Sequence, residues 1–139
     1  MKSKMKFLNE LDEMNLPNSE YVIFGSGPLS IRGLRENHDI DILVTNKLWK
    51  DLKKRYPVKK KKDRPDSIYI GNLQFLTIGY RDWGEELPDQ SILIDDAEII
   101  GKYPFVKLEY LLCCKKQMDD EKHKNDIKLI ESLLEKQNK

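Results

Sequence analysis

Residues 21–45 read YVIFGSGPLSIRGLRENHDIDILVT, and the interpretation of the whole chain follows from them. Tyr21, Val22, Ile23 and Phe24 form an apolar, β-prone run. Gly25, Ser26, Gly27 and Pro28 make a turn. Leu29, Ile31 and Leu34 alternate with polar residues and with Arg32 and Arg35. The reading is a short helix over 29–34, begun by Ser26 as N-cap, with Pro28 in its first turn and Gly33 near its end. Residues 39–44 are a second β-prone run that opens with two carboxylates, Asp39 and Asp41.

That pair carries the chemistry. On a strand, side chains at i and i+2 share a face, so Asp39 and Asp41 are expected to project together, away from Ile40 and Ile42. Adjacent like charges repel. A hard divalent cation relieves the repulsion, and Mg²⁺ (or Mn²⁺) takes carboxylate and then phosphate oxygens. The Gly25-Ser26 turn, where a strand gives way to a helix, offers backbone N–H groups to a phosphate. A phosphate cradle, a spacer and a paired carboxylate describe a site for a nucleoside triphosphate and its metal.

In order and spacing, Phe24-Gly25-Ser26, the spacer 27–38 and Asp39-Ile40-Asp41 resemble the signature of the nucleotidyltransferase superfamily, the polymerase-β-like fold. The wording is closest to small proteins of the AbiEii toxin type, and lincosamide-type antibiotic nucleotidyltransferases are similar here. The resemblance implies an α/β (α+β) fold, a small mixed sheet with helices packed on it and a C-terminal helical pair. It implies Mg²⁺-dependent transfer of a nucleoside monophosphate to an acceptor hydroxyl or phosphate on RNA, protein or a small molecule, with release of pyrophosphate. Asp39 and Asp41 would be the catalytic and metal-holding residues. Gly25, Ser26, Arg35 and Lys124 would bind nucleotide. The implied partners are a nucleoside triphosphate, an acceptor such as tRNA or another RNA, and a cognate partner protein of the toxin-antitoxin kind.

One position departs from the superfamily's pattern. The strand after the carboxylate pair usually supplies a third acid, and here the polar residue at that place is Gln74. An amide oxygen can bind a cation, but it cannot take a proton from an attacking hydroxyl. Three alternatives follow: Asp95 or Asp96 supplies the acid; two carboxylates and one metal suffice; or the chain is a degenerate nucleotide-binding or regulatory domain. An interaction module in which the aspartates bind nothing is the plain fourth reading.

The rest of the chain is read around this core. Its 139 residues suit one domain, with a core over 19–106 and helices over 107–137. Charged residues make up 35% and apolar ones 39%, with a net charge of +1, so bulk charge does not mark a nucleic-acid binder. Met5, Leu8, Leu11 and Met14 recur every third residue, which predicts a helix over 3–15. Residues 46–56 read as a helix capped by Asn46, and 67–70 with 73–78 as a hairpin turning at Gly71-Asn72. Trp83 sits in a turn-rich stretch. Residues 91–94, SILI, read as a strand, followed by a turn at Asp95-Asp96.

Helices are expected over 107–118 and 121–136. In the resembling proteins, lysines there and a Lys…Asp pair face the nucleotide; Lys115 or Lys116, Lys124 and Asp126 stand at those places. Arg35 is either a triphosphate contact, a clamp on the aspartates, or the partner of Glu36. The four lysines at 59–62, with Lys53, Lys54 and Arg55 nearby, either attract RNA or DNA or form a solvated loop. No aromatic residue interleaves the run itself. Cys113 and Cys114 are adjacent and lack metal-ligand spacing, and His38 and His123 are the only histidines, so no zinc site is indicated. No signal peptide or bilayer-spanning run is visible, so a cytoplasmic location and no membrane partner are expected.

Overall fold

The computed structural model describes residues 5–60, 62, 66–77, 90–117 and 121–137. Its centre is a six-stranded mixed sheet in the order β3-β4-β2-β1-β6-β5. The strands are β1 (Tyr21–Phe24), β2 (Ile40–Val44), β3 (Ile68–Ile70), β4 (Leu73–Leu76), β5 (Glu98–Ile100) and β6 (Tyr103–Phe105). β1 runs antiparallel to β2, and each then pairs in parallel on its other side, β1 with β6 and β2 with β4. The C-terminal end of β1, the N-terminal ends of β2 and β4, and the C-terminal end of β6 therefore lie along one edge of the sheet.

Both faces are covered, as the nearly unbroken apolar strands require. One face carries Ile23, Ile40, Ile42, Val44 and Phe75, packed under α1 (Leu8–Met14) and α3 (Asn46–Arg55) through Leu11, Leu48 and Leu52. The other carries Val22, Phe24, Leu43 and Leu76. Over it lie α4 (Gln90–Asp95), α5 (Leu108–Gln117) and α6 (Glu121–Gln137), through Leu93, Leu108, Leu111, Cys114 and Ile130. Fully burying such aliphatic side chains stabilises by about 1.5–3 kcal/mol each. Burial pushes the Cys114 thiol up to about 12, which makes it a packing group.

Several expectations hold, among them β1, β2, the hairpin and both C-terminal helices. The short helix expected over 29–34 lies earlier, as α2 (Gly27–Ser30), and 31–35 are turn and bend. Three others do not hold. The SILI stretch is helix, not strand: Leu93 and Ile94 are buried against β1 and β2 while Ile92 is 48% exposed. Three apolar residues after a serine fit either period, and packing chose the helical one. Thr45, not Asn46, caps α3, its hydroxyl oxygen accepting from Leu48 N at 3.2 Å. Ser26 occupies the N-cap position of α2 but makes no side-chain cap bond there. Residues 103–105 form β6, which pairs with β1 on one side and β5 on the other.

α1 is anchored to the hairpin. Glu10 accepts from Asn72 N at 2.9 Å and from Asn72 Nδ2 at 2.8 Å, which holds its carboxyl below the usual range. No helix among the described residues is long and apolar enough to cross a membrane.

Candidate functional site

Asp41 lies in β2, opposite Phe24 on one neighbour and Gln74 on the other. Strand alternation puts it on the Leu43 face, away from Ile40 and Ile42, the face that also carries α5 and α6. Asp39 stands in the bend just before β2, exposed, with its carbonyl accepting from buried Asn37 at 3.2 Å. Asn37 also bonds Lys6 N and Lys6 O, each at 2.9 Å, so the approach to the strand is fixed by the segment before α1.

The Gly25-Ser26 turn is beside this carboxylate. Gly25 has φ +66°, and a Cβ built on it would stand 2.6 Å from Asp41 Oδ2. Only a residue without a side chain lets the turn approach the aspartate this closely. Gly25→Ala is expected to cost about 1–2 kcal/mol of stability for the left-handed backbone. It should also displace the carboxylate, lowering any turnover by about 10²-fold. A melting curve with a rate assay checks both, and a variant as active as wild type would contradict it.

Gln74 is the cross-strand partner of Asp41, so it stands where the third acid was sought. Its amide donates to Ser67 Oγ at 3.1 Å, and Tyr69 is its partner on β3. Asp96 does not replace it. It accepts from Lys107 Nζ at 2.9 Å and Tyr110 Oη at 2.8 Å, which hold its carboxyl below the usual range. It precedes β5, three strands from β2, or roughly 14 Å away at the usual strand spacing. Asp95 ends α4 beside it.

Arg35 pairs neither with Glu36 nor with an aspartate of β2; Glu36 pairs with Lys6. Arg35 forms an ion pair with Asp126 of α6, whose other carboxylate oxygen lies 3.0 Å from Lys115 Nζ. Asp126 is 2% exposed, Lys115 8% and Arg35 29%. One buried carboxylate thus ties the spacer between the turn and β2 to both C-terminal helices. Lys115 also lies 3.3 Å from His123 Nδ1. Lys124 is on the exposed surface, paired with Glu121 at 2.9 Å, and Lys116 faces Glu131 at 3.6 Å. Arg32 reaches Glu98 at 2.7 Å and Pro28 O at 2.6 Å, joining α2 to β5. Trp83 lies outside the described residues. Residue-by-residue reading missed the buried role of Lys115 and Asp126, and the neighbours Ser67, just before β3, and Tyr69 on it, whose i, i+2 spacing was the available signal.

No family model matches the chain, and no curated protein matches it in sequence. A solved structure does match in shape: the aminoglycoside nucleotidyltransferase ANT(2")-Ia in complex with adenylyl-2"-tobramycin. It covers 91% of this chain and 84% of its own, with a TM-score of 0.55 and 18% sequence identity. The chain shares the fold of that protein, a mixed sheet with helices on both faces. At this identity the likeness speaks for the fold alone, and the reaction has to be argued from the side chains at the shared edge.

Among the described residues no group of three or more His, Cys, Asp or Glu is arranged to hold a metal ion. The donor beside the turn is the Asp41 carboxylate, with the Gln74 amide as its cross-strand partner and Asp39 exposed in the bend before β2. That set suits a single Mg²⁺, a cation that commonly uses one or two protein carboxylates and completes its shell with phosphates and water.

Proposed function

We propose that this chain transfers a nucleoside monophosphate from a triphosphate to an acceptor hydroxyl and releases pyrophosphate. The observation that carries the reading is the approach of Gly25 to Asp41: a glycine turn with positive φ, 2.6 Å by its missing Cβ from a strand carboxylate. The nucleotidyltransferase fold supports it. Asp39 and Asp41 would hold Mg²⁺, which supplies charge neutralisation for the α-phosphate and the leaving pyrophosphate. Gly25 and Ser26 would orient the outer phosphates through N–H and hydroxyl groups. Arg35 and Lys115 would offset phosphate charge from the same face. The acceptor oxygen forms the bond to the α-phosphorus, the α–β bridge breaks, and the acceptor proton leaves through the carboxylate pair, since Gln74 cannot accept it.

The assay is incubation of the full chain with each α-labelled triphosphate, Mg²⁺ and total RNA or a small hydroxyl acceptor. Label appearing in an acceptor supports transfer. Triphosphate binding without incorporation would instead establish the second reading, a nucleotide-binding domain without turnover, which Gln74 favours. The closer tie to AbiEii-type toxins and a cognate partner protein rests on the motif wording. Growth arrest on expression, relieved by co-expression of a neighbouring gene, tests it.

Gln74→Glu probes the departure directly. Ser67, which now accepts from the amide, can turn its hydroxyl to donate to a carboxylate, so the fold should tolerate the change. A third negative charge beside Asp41 is expected to tighten Mn²⁺ binding by at least about tenfold. Unchanged affinity in a calorimetric titration would show that position 74 does not face the metal.

A further inference from the structure

We infer that the lysine-rich edge beyond β3 is a docking surface for a single nucleic-acid strand, whose end the candidate site would modify on the reading above.

The charge of this chain is strongly segregated. Residues 47–62 contain nine of its 25 lysines and arginines and one of its 24 carboxylates, Asp51. Nine cations less one anion leave +8 there. The remaining sixteen cations and twenty-three anions leave −7, and the two sum to the chain's +1. The near-neutral total conceals a pronounced dipole. Every described cation of this stretch is exposed, Lys53, Lys54, Arg55, Lys59, Lys60 and Lys62 among them. None forms an ion pair with another described residue. Neighbouring like charges in water raise the free energy of the chain, and a polyanion removes that cost while releasing its counterions.

The position of the patch connects it to Asp41. Lys59 bridges to Ser67 and so lies along the outer side of β3, the edge strand. Asp41 pairs with Gln74 and Gln74 with Tyr69. Tyr69 lies off the face that buries Ile68 and Ile70, and the Lys59 ammonium stands 5.5 Å from its ring centroid. A row therefore runs from the carboxylate across two strand spacings, about 10 Å, to Tyr69, with Lys59 one step beyond. α3 covers the opposite face of the sheet from Asp41; it returns from Thr45 and ends in Lys53, Lys54 and Arg55, which reach this edge from that far face, with Arg55 5.4 Å over the Tyr56 ring.

The chemistry selects the partner. An aminoglycoside is a polyamine, cationic near neutral pH, and this edge would repel it. An acidic peptide would satisfy the lysines but not the tyrosines. A single strand places phosphates on the cations and bases on aromatic faces, the combination that single-strand binders use.

The test is fluorescence anisotropy with a labelled RNA strand of about 20 nucleotides and the full chain, without triphosphate. At about 0.7 per phosphate, five contacts give a log–log salt slope near −3.5, roughly. Lys53→Ala/Lys54→Ala/Lys59→Ala, all exposed positions, should reduce the slope by about 2 and the affinity by at least tenfold, with unchanged melting. No binding at about 50 mM salt, equal binding by the triple variant, or equal binding of polyglutamate would overturn the inference. Label transfer to a small hydroxyl acceptor without RNA binding would remove this surface and leave nucleotidyl transfer standing. RNA binding without label transfer would do the reverse.

Discussion

Asp41→Asn is expected to abolish monophosphate transfer, by about 10³-fold or more, equivalent to about 4 kcal/mol of transition-state stabilisation. The substitution keeps the size and planarity of the group, so the close approach of Gly25 is preserved and the fold should lose no more than about 1 kcal/mol. It removes a charge from the one place where strand alternation, the glycine turn and the Gln74 amide converge. The rate loss should appear in kcat, because the charge being neutralised develops as the α–β bridge breaks. Retained turnover in this variant would mean that the β2 carboxylate is not part of the chemistry. Asp39→Asn provides a graded comparison. Asp39 is exposed and precedes the strand, so its replacement should cost less than that of Asp41 if β2 fixes the metal, and as much if both oxygens are required.

The parts of this site that sequence reveals are local ones. A four-residue apolar run, a Gly-Ser turn and the alternation Asp39-Ile40-Asp41-Ile42 state strand, turn and strand within 25 residues, and the fold keeps that order. Even the odd position was readable: Gln74 falls in register with Asp41 because β4 follows the same alternation. What stayed hidden depends on contacts distant in sequence. Residues 91–94 have no period long enough to distinguish strand from helix until Leu93 and Ile94 find the sheet. β6 contains Pro104, which lacks a ladder N–H and argues against a strand, yet three residues suffice between β1 and β5. Arg35 and Asp126 are 91 residues apart, and nothing near either announces the other. The basic edge was visible as a lysine run, but its relation to Asp41 required the sheet order. The tyrosine that serves it lies ten residues away, on β3.

Asp126→Ala is expected to destabilise the chain by about 3–5 kcal/mol, the usual result of deleting one partner from a buried charge cluster. Among the described residues, Asp126 is the carboxylate that pairs with both Arg35 and Lys115. Without it the Lys115 ammonium, 8% exposed, keeps, among the described residues, the His123 ring at 3.3 Å. Two outcomes separate electrostatics from packing. If the buried charge dominates, Lys115→Met added to Asp126→Leu should recover most of the loss in a denaturant titration, because an apolar pair of similar volume removes both desolvation penalties. If shape dominates, the double variant should be no better than Asp126→Ala. A single variant within about 1 kcal/mol of wild type would show that the cluster does not hold the C-terminal helices to the sheet. The same cluster anchors the spacer that lies between the turn and β2. Asp126→Asn, which keeps the size of the side chain and drops its charge, should therefore weaken triphosphate binding through Arg35 more than it lowers the melting temperature. That split distinguishes a positioning role from a structural one: a purely structural cluster would lose binding only in proportion to the fraction unfolded.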